Sequence, residues 1–96
     1  MAKDSPLEFE WDESNLRHLA RHRISRAEFE EAMANDPILV DFNDESGEDR
    51  WYALGATNGL RVLFMVFTHR AERVRPITAW SAGRALREAY FRRKGT

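Results

Sequence analysis

Leu7, Phe9 and Trp11 alternate with Glu8 and Glu10, the period of a strand with one buried face. Asp12 stands where a helix N-cap belongs. Leu16, Leu19 and Ala20 follow at i, i+3 and i+4, so the spacing predicts a helix from about Glu13 to His22 with that stripe inward. Ser25-Arg26-Ala27-Glu28 reads as a capping box. It opens a second helix, Arg26 to about Asn35, with Phe29 and Met33 as its apolar edge, and Asp36-Pro37 ends it.

Beyond the proline the period changes. Ile38 to Phe42 reads as a short strand, Asn43 to Asp49 as an acidic, mobile loop, and Arg50 to Leu54 as the next strand. Asn58-Gly59 is a hairpin signal because both residues accept positive φ. Leu60 to Thr68 is apolar on both faces apart from Arg61: Leu60, Val62, Phe64 and Val66 on one, Leu63, Met65 and Phe67 on the other. That pattern belongs to a central, doubly covered strand. Arg73 to Trp80 is a further strand whose Pro76 requires an edge position or a kink. The last helix, about Ala82 to Arg93, is expected to bury Ala82, Ala85, Leu86 and Ala89 and to turn Arg84, Arg87 and Phe91 outward, Phe91 towards a partner. The order β-α-α-β-β-β-β-α predicts an α+β fold, one compact domain with a core of about residues 7–93 and a mostly antiparallel sheet with packed helices.

Ninety-six residues, 43% hydrophobic and 32% charged, suit one globular domain. There is no cysteine, hence no disulfide framework or thiolate metal site. No apolar run approaches the ~20 residues of a bilayer span. The N-terminal stretch carries acids where a signal peptide is apolar, so a cytoplasmic protein without membrane contact is expected. The net charge of −1 conceals a division: residues 1–49 hold 5 Lys and Arg against 14 Asp and Glu, residues 50–96 hold 10 against 2. Either the halves neutralise each other, or the basic half gathers into a landing site for phosphate.

Phe9–Glu13 (FEWDE), Ala20–Ser25 (ARHRIS), Ala27–Ala32 (AEFEEA), Asp49–Gly55 (DRWYALG), Leu60–Arg70, Arg73–Ala79 (RVRPITA) and Arg84–Arg93 occur in an order and spacing that resembles the BrnT toxin family. The resemblance implies a compact RelE-like fold and a ribonuclease toxin of a type II toxin–antitoxin system. It also implies a ribbon-helix-helix-like antitoxin that blocks the site, and operator DNA bound only through that antitoxin. Three positions depart from the family pattern: Arg23 for glycine, Trp80 for arginine, and Pro76 for an apolar strand-former. They motivate an alternative, a degenerate toxin fold that binds a partner or nucleic acid without cutting. A free-standing nucleic-acid module is a third reading, supported only by the basic half.

RNA cleavage without a metal uses the 2′-hydroxyl as nucleophile, with a base, an acid and cations for the phosphorane charge. The catalytic candidates are His22, which matches the family histidine, the alternating pair Arg73 and Arg75 as phosphate clamp, and Glu88 as base. The corresponding structural readings are a histidine packing a helix end, a salt-bridged edge face, and an i, i+4 pair of Glu88 with Arg84. Arg50, Arg61, Arg84 and Tyr90 are candidates for substrate binding. Arg50 and Arg61 are equally suited to pair with acids of the second helix, and Tyr90 to the core. Trp51, Trp80 and Phe91 suit stacking on bases or on an antitoxin helix, Trp51 with the stronger claim on the core. His18, His22 and His69 lack a His-Glu-x-x-His pattern, so neither metal nor cofactor is expected.

Overall fold

The computed structural model describes residues 7–44 and 47–95. Helices α1 (Glu13–Arg21) and α2 (Arg26–Ala34) precede strands β1 (Ile38–Asn43), β2 (Arg50–Ala56), β3 (Val62–Arg70) and β4 (Arg73–Ser81), and α3 (Arg84–Lys94) closes the chain. The strands form one antiparallel meander in the order β1-β2-β3-β4.

The two faces of β3 sort the helices. Leu63, Met65 and Phe67 join Leu19, Ile24, Phe29, Ala32 and Met33 in the core under α1 and α2. Val62 joins Leu54, Ala56 and Tyr90, with Phe64 and Phe91 packed alongside, under α3. The doubly apolar segment is thus an interior strand with helices on both sides. α2 approaches β2 so closely that a Cβ on Gly55 would stand 2.6 Å from the Ala32 carbonyl oxygen and 2.8 Å from Met65 Cε.

The capping box expected at Ser25 forms, and the Asp12 cap proves to be a second box made with Asn15. Asp12 Oδ1 accepts from the Asn15 N–H, and the Ser25 hydroxyl from the Glu28 N–H. α1 ends in a Schellman motif: the Ile24 N–H reaches the Leu19 carbonyl and the Arg23 N–H the Ala20 carbonyl, both at 3.0 Å. The left-handed residue of this motif is Arg23, at φ 59. The β3–β4 hairpin places Ala71 and Glu72 in the same region, at φ 52 and 66. Pro76 sits on edge strand β4 beside a bulge: Val66 pairs with Thr78 and Phe67 with Pro76, leaving Ile77 as the extra residue. Edge and kink thus occur together.

Several expectations need correction. Residues 7–11 make no strand, only one parallel bridge, Phe9 to Val74. Their alternation still operates, with Phe9 and Trp11 edge-on to Phe29 at 6.2 and 5.8 Å and the acids on the other side. The observed order is therefore α-α-β-β-β-β-α. α1 buries Asn15 and Leu19, while Leu16 and Ala20 are exposed, because the helix lies along the β4 edge and not flat on the sheet. α3 buries Tyr90 and half-buries Phe91, while Ala85 and Leu86 are exposed. Its short alanines do not span the gap to the sheet, so the large rings fill it, and Phe91 turns inward. At the β2–β3 turn the positive φ belongs to Leu60, at 67, and not to Asn58 or Gly59. The Leu60 N–H closes on the Thr57 carbonyl, so the connection is a three-residue hairpin with its left-handed residue last. The acidic loop falls partly on residues 45 and 46, outside the described residues, as do residues 1–6 of the N-terminal stretch.

Candidate nucleic-acid interface

Strand pairing sets the interface out in rows on the α3 side of the sheet. Directly paired residues share a face, as do alternate residues along a strand. Leu54, Phe64 and Trp80 form one row, and Tyr52, Val66 and Thr78 the next. Thr68 and Arg75 then pair, with Arg50 two residues before Tyr52 on the same face. The α3 core ends at Phe64; past the row of Tyr52, Val66 and Thr78 the face turns cationic.

The arginines at that end are met by the N-terminal segment. Arg73 pairs with Glu8 at 3.5 Å, Arg70 with Glu10 at 3.8 Å, and Arg75 with Asp12 at 2.6 Å and Glu10 at 3.9 Å. Arg50 pairs with Glu48 at 3.8 Å. The Asp12 carboxyl is held below the usual carboxylate range, first by the Asn15 N–H and then by Arg75. Between the arginines the buried Thr68 hydroxyl has no hydrogen-bond partner among the described residues.

At the other end of α1 lies a cleft of about 270 Å³ lined by His18, Arg21, His22, Ile77 and Thr78. The bulge aims the Ile77 carbonyl at His18, which donates to it from Nδ1 over 3.1 Å. A carbonyl only accepts, so this bond fixes the tautomer and leaves Nε2 free in the neutral ring. His22, the α1 C-cap, is exposed, and its ring lies 5.9 Å from that of Trp80. Arg21 carries no ion pair among the described residues.

The sequence candidates are therefore divided. Arg50, Arg73 and Arg75 share one end of a sheet face. His22 stands at the other end of α1, whose 9 residues span about 14 Å. Arg61 is a structural clamp: it donates to Glu28 at 3.0 and 3.2 Å, to the Arg23 carbonyl and to the Ser81 hydroxyl. Its pairing with helix two is one of the two roles expected for it. Glu28 is held low in pKa, first by the Ser25 N–H, against some desolvation, and then by Arg61. Arg84 and Glu88 pair at 3.2 Å on the outer surface of α3, and Tyr90 is 5% exposed within the α3 core. Sequence reasoning passed over His18 as anything but a metal ligand, and over Arg21, Tyr52 and Phe64. Its usable signals were the i, i+4 spacing of the histidines and the shared strand parity of Arg50 with Tyr52. Among the described residues no three His, Asp or Glu side chains group as a metal site would need, and no helix is long and apolar enough to cross a membrane.

Taken together, an antiparallel meander, helices on both faces and a histidine-bearing cleft on its edge strand define a small α+β protein. The chain belongs to the BrnT family: residues 11–85 match the family described as the ribonuclease toxin, BrnT, of type II toxin–antitoxin systems. The family is one of ribonuclease toxins, so membership implies RNA cleavage as the class of activity and a protein antitoxin as partner. No curated protein matches the sequence.

Proposed function

We propose that this chain is a metal-independent endoribonuclease toxin whose reaction takes place in the His18–His22 cleft. The observation that carries the reading is the placing around one cleft of two imidazoles and a guanidinium, Arg21, with no ion pair among the described residues, beside an exposed aromatic ring. One imidazole takes the proton of the 2′-hydroxyl as its oxygen bonds to phosphorus. The other gives a proton to the departing 5′-oxygen, leaving a 2′,3′-cyclic phosphate and a 5′-hydroxyl. Arg21 faces the phosphorane charge.

Arg50, Arg73 and Arg75 hold phosphates further along the strand. The pair Arg73–Glu8 is 55% and 72% exposed; such a pair is worth roughly 0–1 kcal/mol, so a phosphate displaces the carboxylate at little cost. Arg75 is 20% exposed and keeps Asp12, presenting its remaining N–H donors. The fold is RelE-like in this reading, and a ribbon-helix-helix-like antitoxin neutralises the toxin and carries the pair to operator DNA.

Induced expression, with RNA followed on a gel, tests the proposal. Wild type fragments RNA and arrests growth, the purified protein keeps its activity in chelator, and fragments end in cyclic phosphate. His18→Ala and His22→Ala each reduce the rate by about 10²–10⁴-fold with the melting transition retained. Full activity in the double variant would remove the cleft from the reaction. The intramolecular pairing of every β4 arginine favours the second reading, a fold that binds its partner without cutting; intact RNA and normal growth on induction would establish it.

A further inference from the structure

Four rings run without a break across the sheet face into the cleft. Tyr52 and Phe64 lie 6.2 Å apart, Phe64 and Trp80 5.0 Å apart with planes 13° from parallel, and Trp80 and His22 5.9 Å apart. They come from β2, β3, β4 and the end of α1, so the sheet pairing itself aligns them. Trp80 rests one face on Phe64. Its ring meets that of His22 tilted at 55° and not stacked, and the residue is 37% exposed. Core packing does not need a tryptophan held flat on a neighbour and turned to solvent at a sheet edge.

We propose that Trp80, supported by Phe64, is the stacking platform for an unpaired nucleobase next to the phosphate handled in the cleft, so that the substrate is single-stranded RNA. The proposal rests on the ribonuclease reading and adds to it how the strand is seated. A base laid on Trp80 brings its own sugar and phosphate to the His22 side, while the phosphates beyond it run towards Arg75 along β4. In a duplex both faces of each internal base are already stacked, so the platform has nothing to receive. Stacking tolerates every base because each has a π-face, and the platform sets strand state before it sets sequence.

The test uses a labelled 12-nucleotide 2′-O-methyl RNA, which lacks the nucleophile and is not cut, free and as its duplex, with binding read by fluorescence polarisation across a salt series. Wild type favours the single strand. Trp80→Ala weakens single-strand binding about tenfold, leaves the salt slope unchanged and abolishes the preference over duplex, whereas Trp80→Phe retains most of it. Arg73→Ala instead lowers the salt slope and weakens both forms alike. Equal single-strand affinity in a folded Trp80→Ala protein, or equal affinity of wild type for strand and duplex, overturns the platform while leaving cleavage in the cleft standing. A wild type that binds neither form and cuts no RNA overturns both.

Discussion

At the scale of single residues the backbone is under strain where side chains occupy left-handed conformations. Arg23 closes the α1 Schellman motif at φ 59, a position that favours glycine. Its carbonyl receives Arg61, an interaction any residue retains, and its side chain carries no ion pair among the described residues. Arg23→Gly is therefore expected to stabilise the protein by about 0.5–1 kcal/mol, measured as a higher denaturation midpoint with unchanged slope. Gly55 presents the opposite case. There a Cβ meets the Ala32 carbonyl oxygen, which is fixed in α2, as well as the movable end of Met65. Gly55→Ala is expected to cost about 2 kcal/mol, read by the same denaturation.

At the scale of elements, what is written locally was legible. The Asp12 and Ser25 caps, the two-faced strand β3 and the proline-marked edge strand β4 follow from residues within one or two turns or strand repeats of each other. What depends on how elements lean on one another was not. The periodicity of α1 names Leu16 and Ala20 as inward, but a helix lying along a sheet edge buries a narrower strip, Asn15 and Leu19. In α3 the alanine stripe has the right spacing and too little reach, so Tyr90 and Phe91 make the contact. The candidate site was legible in its ingredients and not in its assembly. Arg75 and Asp12 are 63 residues apart, His18 and Ile77 59, and no local pattern reports which pairs meet.

For the whole molecule, the acidic and basic halves are both partner and counterweight. Arg61–Glu28, Arg70–Glu10, Arg73–Glu8, Arg75–Asp12 and Lys94–Asp36 all cross between them. Asp12 and Glu28 have folded pKa values below their ordinary 3.8 and 4.5. Their stabilisation is complete above the unfolded values and is lost as pH falls through the lowered folded ones. The melting temperature should thus hold level from pH 7 to about 5, then drop as pH approaches 3. Glu28→Gln should remove about 1 kcal/mol at pH 7 and flatten that acid slope. A slope that Asp12→Asn and Glu28→Gln both leave unaltered would assign acid unfolding to other carboxylates.

The parentage of the cleft, residues 18–22 from one end of the chain and 77–80 from the other, bears on the protein's birth. The core beneath α1 and α2 draws Leu63, Met65, Val74 and Ala79 from β3 and β4, so an emerging chain lacks the partners to hold these two helices until β4 is made. Distant contacts of this kind slow folding. A ribosome making this protein therefore passes β4 before the cleft exists, and a product truncated ahead of β4 lacks it.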